Sequence, residues 1–299
     1  MTAPNAAFDI RTILNEMRLV KDADEIAIMQ RAADIAAEAH TRAMRTARAG
    51  LREYHLEAEL LHEFRRNGSQ FPAYGSIVAA GANACVLHYR AGDAELRDGD
   101  LVLIDAGCEL DSYASDITRT FPVNGKFSGP QKTLYEIVLA SQYAAIAATG
   151  PGKLFTDGHE AALKVLAQGM LDTGLLDKNK VGSLDDVIAN GSYRQFYMHR
   201  TGHWLGMDVH DVGDYKIDGQ WRVLESGMVL TVEPGIYIAP DCLQVEPRWR
   251  GIGVRIEDDV LVTGRGHKVL TSGVPKDADE IEELMAKARR SRRKRTASA

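Results

Sequence analysis

Residues 101–123 read LVLIDAGCELDSYASDITRTFPV, and this stretch indicates what kind of fold to expect. It opens with an apolar run of strand length, Leu101–Ile104, which ends at Asp105. Residues 113–123 alternate well enough between apolar and polar side chains to form a partner strand, and that strand contains Asp116. The pattern therefore predicts two paired strands, each with a carboxylate where burial is expected.

The segments around this pair repeat one order of elements. Helices are predicted from apolar spacing at residues 22–49, 53–67, 130–148, 157–174 and 277–290. Further strands are predicted at residues 76–79, 85–89, 228–238 and 253–262. The order helix–helix–strands thus occurs twice, which predicts an α+β fold in which helices cover one face of a curved antiparallel sheet, with a pseudo-twofold duplicated pattern.

The predicted domain organisation has three parts. Residues 22–288 are expected to form one domain, because no Pro/Ser-rich linker interrupts them. Residues 1–21 are expected to be an extended lead-in, the remnant of a linker. Residues 289–299 are expected to be a basic, disordered tail, because blocks of like charge repel one another.

Composition narrows the class of protein. The 299 residues are 45% hydrophobic and 26% charged, as in ordinary globular proteins, and no apolar run has the length of a membrane span. The start of the chain lacks the pattern of a secretory signal, and three cysteines without a close pair do not form a disulfide framework, so the cytoplasm is expected. A net charge of −6 argues against nucleic acid as a partner, apart from seven basic side chains within residues 287–299.

Two more carboxylates interrupt apolar strands. Glu233 follows residues 229–232, and Glu257 follows residues 254–256. An ionised carboxylate that is buried without a partner is strongly unfavourable, and four of them in strands are beyond the reach of surface lysines. A bound divalent cation is the simplest arrangement that would stabilise all four.

A histidine cluster supplies a fifth candidate ligand. Residues 199–211, HRTGHWLGMDVHD, contain His199, His203 and His210. Oxygen ligands together with one imidazole suit Mn²⁺, Co²⁺ or Zn²⁺. Four carboxylates and one imidazole exceed what a single catalytic zinc needs, but with bridging carboxylates they suffice for two ions about 3.5–4 Å apart.

These motifs also carry a family resemblance. The matching stretches are residues 86–89, 104–107, 115–121, 199–211, 231–235 and 254–258. Over roughly residues 16–288 the chain resembles the pita-bread metallopeptidases of family M24, and within them the Xaa-Pro aminopeptidases (aminopeptidase P). Five ligand types follow one another in the order of the family.

The resemblance implies a dinuclear metal centre. Its ligands would be Asp105, Asp116, His203, Glu233 and Glu257. Asp116 and Glu257 would bridge two divalent ions, with Mn²⁺ expected first and Zn²⁺ or Co²⁺ as alternatives. Glu233 would also carry a proton from water to the departing proline nitrogen.

The resemblance also implies a substrate pocket for peptides with proline at the second position. His88, His199 and His210 would line it and stabilise the reacting carbonyl. Arg255 would support Asp105 from behind, and Tyr237 is a further pocket candidate.

Alternatives remain open at this stage. A prolidase shares the fold and the ligands but takes only Xaa-Pro dipeptides, and a non-catalytic binding module of the same fold would be expected to lose ligands. The resemblance implies that relatives of this type carry a smaller N-terminal domain, which is not expected within these 299 residues, and this leaves peptide length and oligomeric state, including a homo-oligomer, undecided. Arg200 and Thr201 stand beside the pocket histidine, where a large cation could alter substrate acceptance.

Overall fold

The protein is described by a computed structural model that covers residues 9–297. Within these residues the helices are α1 (Arg11–Leu19), α2 (Ala23–Thr46), α3 (Glu53–Arg66), α4 (Gly129–Ala147), α5 (Phe155–Asp172), α6 (Lys178–Val181), α7 (Leu184–Asn190) and α8 (Ala278–Ala297). Short 3₁₀ turns occupy Gly81–Cys85, Ser192–Gln195 and Pro247–Trp249.

The strands of the described chain are short and pair antiparallel. They are β1 (Phe71–Pro72), β2 (Ile77–Ala80), β3 (Leu101–Asp105), β4 (Cys108–Leu110), β5 (Tyr113–Ala114), β6 (Thr118–Pro122), β7 (Lys216–Ile217), β8 (Gln220–Trp221), β9 (Val229–Val232), β10 (Gly235–Ile238), β11 (Ile252–Arg255), β12 (Asp258–Thr263) and β13 (Gly266–Val269). The strand orders are β1-β4-β5, β2-β3-β6, β7-β8, β10-β11 and β13-β12-β9.

Two similar halves meet along the middle of the molecule. In the first, α2 and α3 accompany the sheet β2-β3-β6; in the second, α4 and α5 accompany the sheet β13-β12-β9. An antiparallel bridge between Thr118 and Glu257 joins the two sheets, and the Glu257 amide donates to the Thr118 carbonyl at 3.0 Å. The predicted repetition of helix–helix–strands is therefore confirmed.

Local sequence explains where the helices begin. The Asp22 carboxylate accepts from the amides of Asp24 and Glu25, and the Asp22 amide donates to the Glu25 carboxylate. α2 therefore starts with a capping box. Ser128 and Gln131 form the same motif at α4. These two helices pack their apolar stripes against the buried strands of the main core.

Several predicted strands have different limits in the structure. The strand predicted at residues 85–89 is wrong, because this segment is the end of a 3₁₀ turn followed by an irregular loop. The strands predicted at 113–123, 228–238 and 253–262 are each divided in two. At each division the chain passes from one sheet to another, and this change of partner is not visible in the apolar pattern.

Both ends of the described chain are more regular than expected. Residues 11–19 form α1 instead of an extended lead-in, held through ion pairs of Glu16 with Arg222 and of Arg18 with Asp211. Residues 289–297 continue α8 and are helical instead of disordered, and Arg292 donates to the carbonyl of Thr46 at the end of α2 at 3.1 Å. The division into lead-in, catalytic domain and tail stays a prediction.

None of the helices formed by residues 9–297 combines the length and the apolar character that a membrane span requires.

Candidate active site

Asp105 and Asp116 come together through the pairing of β3 with β6. Asp105 is the last residue of β3 and lies opposite Thr118, the first residue of β6. Asp116 stands just before β6, in the crossing from β5, and is 4% exposed. Gly107 permits this crossing, because a Cβ atom there would come within 1.6 Å of the Ser115 carbonyl oxygen.

Glu233 and Glu257 occupy equivalent breaks in the second half of the chain. Glu233 lies between β9 and β10, and Glu257 lies between β11 and β12. Glu257 is 2% exposed, and one of its oxygens accepts a 2.5 Å hydrogen bond from the Thr118 hydroxyl. The bridge between Thr118 and Glu257 therefore brings Glu257, from the second half, close to Asp116, from the first half.

His203 enters the site on the segment that pairs with β9. The Thr231 amide donates to the His203 carbonyl at 2.9 Å, and Gly202 allows this approach because a Cβ there would come within 2.0 Å of the Thr231 carbonyl oxygen. His203 Nδ1 lies 2.9 Å from the Trp204 carbonyl, so Nδ1 carries the proton. His203 Nε2 faces Asp116 at 3.5 Å and Glu233 at 3.7 Å.

The donor set fits a metal centre. Asp116, His203 and Glu257 each offer one ligand atom, and these atoms lie within 4.8 Å of one another. Asp105 and Glu233 complete four buried or half-buried carboxylates around one imidazole, the set that hard to borderline divalent cations prefer. The structure therefore brings all five predicted ligands together, while the role of each stays a prediction.

The electrostatics of the metal-free cluster point the same way. Burial, with Asp116 and Asp105 nearby, raises the pKa of Glu233 to about 7. Burial and the neighbouring carboxylates also raise the pKa of Asp116 and, further, that of Glu257. Burial alone would lower the pKa of His203, but Asp116 and Glu233 outweigh it and raise that pKa to about 9. A site that raises the pKa of three carboxyls in this way favours added positive charge, which divalent cations would supply.

Arg255 contacts the cluster of five candidate ligands (the ligand cluster: Asp105, Asp116, His203, Glu233 and Glu257) through Asp105, and its role in supporting that carboxylate stays a prediction. Its guanidinium donates to Asp105 Oδ2 at 2.6 Å, to the Tyr237 hydroxyl at 3.1 Å and to the Thr118 hydroxyl at 3.1 Å. A planar fork with several donors holds a carboxylate in one orientation better than a lysine would.

Two supporting residues were not found from the sequence. The Tyr74 hydroxyl donates to Asp105 at 2.6 Å and also contacts Asp116. One oxygen of Asp259 accepts from the Asp116 amide at 3.1 Å, whereas its Oδ1 is buried without a partner. Asp259 could have been suspected as a further acid after Glu257, but Tyr74 stands in an irregular stretch and gave no signal.

The three predicted pocket histidines all line one cavity with the ligand cluster. His199 Nδ1 lies 2.7 Å from the Arg200 carbonyl, and its Nε2 lies 2.8 Å from the Tyr237 hydroxyl. Burial, with Arg255 nearby, lowers the pKa of His199 to about 4, so this imidazole is neutral near pH 7. The His210 ring meets that of His203 edge-on at 4.3 Å.

The cavity has a volume of about 940 Å³. The ligand cluster lines it together with the 86–92 loop, which carries His88, and the 199–203 segment. A space of this size is large enough for a short peptide, so the site combines candidate metal ligands, titratable side chains and room for a ligand.

Comparison with known proteins identifies the family. The model of metallopeptidase family M24 matches residues 27–264. The chain belongs to metallopeptidase family M24. The resemblance seen in the sequence is thereby confirmed.

Curated relatives extend beyond this chain. It is 53% identical to an Xaa-Pro aminopeptidase of Haemophilus influenzae, over 93% of the chain and 63% of the relative. It is 50% identical to an Xaa-Pro aminopeptidase of Escherichia coli, over 97% of the chain and 64% of the relative. The chain therefore spans just under two thirds of the length of these relatives.

Solved structures of similar proteins have the same fold as this chain. An aminopeptidase of Pseudomonas aeruginosa superposes with a TM-score of 0.91 at 60% identity, over 93% of the chain and 62% of that structure. Aminopeptidase P of E. coli in complex with substrate superposes with a TM-score of 0.93 at 50% identity, over 97% of the chain and 64% of that structure. The predicted pita-bread α+β fold is confirmed.

Proposed function

We propose that the chain is the catalytic part of an Xaa-Pro aminopeptidase, which hydrolyses the bond between the first residue of a peptide and a following proline. The observation that carries the proposal is the gathering of five metal-ligand side chains and three histidines around one cavity of about 940 Å³. The support from relatives is that two chains 50% and 53% identical to this one are Xaa-Pro aminopeptidases and that a 60% identical solved structure is an aminopeptidase.

A dinuclear metal centre belongs to the proposal. Its ligands are Asp105, Asp116, His203, Glu233 and Glu257, the side chains whose charges the structure concentrates. When bound, two divalent ions would polarise the substrate carbonyl and lower the pKa of a coordinated water. We assign Mn²⁺ first, because oxygen ligands dominate, with Zn²⁺ and Co²⁺ as alternatives.

Glu233 is the proposed proton carrier. Its carboxyl lies 3.7 Å from His203 Nε2 and 3.8 Å from His199 Nδ1, on the wall of the cavity. A carboxyl that can gain and lose a proton near neutral pH would take one from the attacking water and give it to the departing proline nitrogen. His88 and His210 would donate hydrogen bonds to the carbonyl oxygen as it gains negative charge.

We also propose a cytoplasmic location. Cys85, Cys108 and Cys242 are all free. Unpaired cysteines are typical of reducing compartments. The location is tested by fractionating cells that express the tagged protein.

The activity is tested by comparing three peptides. The purified chain, loaded with Mn²⁺, is incubated with an Xaa-Pro-Xaa tripeptide, an Xaa-Pro dipeptide and a Met-Ala-Xaa tripeptide, with and without a chelator. We expect cleavage of the first alone, abolished by the chelator. Preference for the dipeptide would indicate a prolidase, and bound metal without cleavage of any peptide would indicate a binding module or a need for the part of the relatives that this chain does not span.

A further inference from the structure

Arg200 is an exposed arginine on a wall between two cavities. It lines the catalytic cavity and also a smaller one of about 170 Å³. The carbon of its guanidinium lies 5.4 Å from the centre of the Trp221 ring, an arrangement that orients the cation. Its backbone carbonyl accepts from His199, so the residue is tied directly to the pocket.

The guanidinium of Arg200 has no acidic partner. Among residues 9–297 no carboxylate oxygen lies within 4.0 Å of its nitrogens. The described cavity lining contains two other arginines, Arg90 and Arg255. Arg255 is committed to Asp105 at 2.6 Å, which leaves Arg90 and Arg200 as the cations that a ligand could reach.

The cavity needs a cation if its ligand is an anion. The ligand cluster contains four carboxylates, whose charge two divalent ions would offset without excess. A carboxylate on the ligand would then have to be bound by a cation on the cavity wall. A guanidinium binds a carboxylate through two parallel hydrogen bonds. Arg200 is the stronger candidate, because Trp221 orients it, whereas no aromatic ring of the described residues stacks with Arg90.

We propose that Arg200 binds a carboxylate of the peptide substrate, either its C-terminus or an acidic side chain. The inference rests on the proposed function and makes Arg200 a determinant of specificity. It implies that short peptides with a free C-terminus bind better than the same peptides with an amide.

The test compares a free acid with its amide. An Xaa-Pro-Ala tripeptide, its C-terminal amide and Xaa-Pro-Asp amide are cleaved by the wild type and by Arg200→Gln. In the variant we expect KM to rise about 10-fold for the free acid, with kcat nearly unchanged, and to rise less than about 2-fold for the alanine amide, because a charged hydrogen bond is lost only with the acid. A comparable rise in KM for Xaa-Pro-Asp amide would show that Arg200 also binds acidic side chains.

Lys216→Gln is the matched control. Lys216 Nζ lies 4.4 Å from the centre of the same Trp221 ring, but the residue does not line the catalytic cavity. This variant removes one positive charge from the same neighbourhood and is expected to leave the preference for the acid intact. An equal loss in Lys216→Gln or Arg90→Gln would replace the proposed contact by a long-range effect of charge and overturn the proposal.

A binding measurement separates this inference from the proposed function. The dipeptide Pro-Leu and its amide are titrated into metal-loaded wild type and Arg200→Gln by calorimetry, which needs no turnover. A preference of the wild type for the acid that disappears in the variant supports the inference even if no peptide is cleaved. Equal affinity of the wild type for acid and amide, or an equal loss of both in Arg200→Gln, shows that Arg200 does not read a carboxylate.

Discussion

Glu233 has two roles in the proposed mechanism. It is a proposed metal ligand, and its carboxyl also lies within 4 Å of two imidazoles. Burial raises its pKa to about 7, into the range in which a carboxyl can both accept and donate a proton. Few positions in a protein serve two chemical tasks, so substitution here should affect both.

Replacement of Glu233 by Ala tests this position. We expect turnover of an Xaa-Pro-Xaa tripeptide to fall by about 10²-fold or more, because a ligand and a proton carrier are lost together. The variant should still fold, because Glu233 is not part of the apolar core. The measurement is kcat with Mn²⁺ in excess; activity close to that of the wild type would refute the mechanism.

The cysteines provide the control at the same scale. Burial raises the pKa of the Cys85 and Cys108 thiols to about 11, so neither is a thiolate near pH 7. Changing Cys85 or Cys242 to Ser should therefore leave kcat within about 2-fold of the wild type. An inactive variant at either position would indicate a thiol mechanism instead.

At the scale of elements, the loop of residues 86–92 depends on a buried acid. Glu53 begins α3 and is fully buried, and among residues 9–297 it forms no ion pair with a described lysine or arginine side chain. Its carboxylate accepts from the Ala80 amide at 2.8 Å, from Asn83 and the Tyr89 hydroxyl at 2.9 Å, and from the Gly92 amide at 3.0 Å. Because Asn83 precedes His88 and Tyr89 follows it, Glu53 holds this part of the cavity wall in place.

The change Glu53→Ala is expected to destabilise the protein and to loosen this wall. Four donors lose their acceptor, which should lower the free energy of unfolding by about 3 kcal/mol or more. Below the unfolding temperature kcat should also fall, because His88 is no longer held. Denaturant unfolding and kinetics at a temperature where the variant is folded measure the two effects.

Glu59→Ala is the control on the same helix. Glu59 forms a half-exposed ion pair with Arg42 at 2.5 Å. Loss of such a pair costs up to about 1 kcal/mol and should leave kcat unchanged. If the two variants proved equally stable and equally active, Glu53 would have no special role.

At the scale of the whole molecule, folding brings acids from both halves into one site. The metal-free site responds by holding protons, since the pKa is raised to about 7 at Glu233 and to about 9 at His203. A group whose pKa is raised on folding stabilises the fold below its unfolded pKa, and that stabilisation is lost as pH rises through the folded value. These two groups should therefore contribute less to the stability of the metal-free chain as pH rises, Glu233 between about pH 4.5 and 7 and His203 between about pH 6.5 and 9.

This linkage predicts how metal affects stability. Divalent ions bind the deprotonated ligands and so replace the protons that are lost at higher pH. The rise in Tm on adding Mn²⁺ should be larger at about pH 8.5 than at about pH 6, and calorimetry in buffers of different ionisation enthalpy should show release of protons on binding at the lower pH. A metal-induced rise in Tm that is independent of pH would contradict the proton-holding cluster.

The sequence by itself determined which residues meet and what they are able to bind. Carboxylates at the ends of apolar strands are so unfavourable without a partner that Asp105, Asp116, Glu233 and Glu257 had to share a cation or a set of protons. The periodicity of the helices was equally explicit, because apolar stripes and capping residues are local signals. These signals are sufficient for the helices and for a set of candidate ligands, whereas the family follows from the resemblance of the motifs around them.

Only the tertiary structure decided how those residues are held. The breaks at residues 115–117, 233–234 and 256–257 arise where a strand leaves one sheet for another, and a single apolar run gives no sign of a change of partner. Tyr74, Glu53 and the cation on the wall, Arg200, act through side chains distant in sequence, so their contacts exist only after folding. The spacing of apolar residues along the chain indicates which side chains are buried. Contacts between residues distant in sequence depend on how the two halves pack.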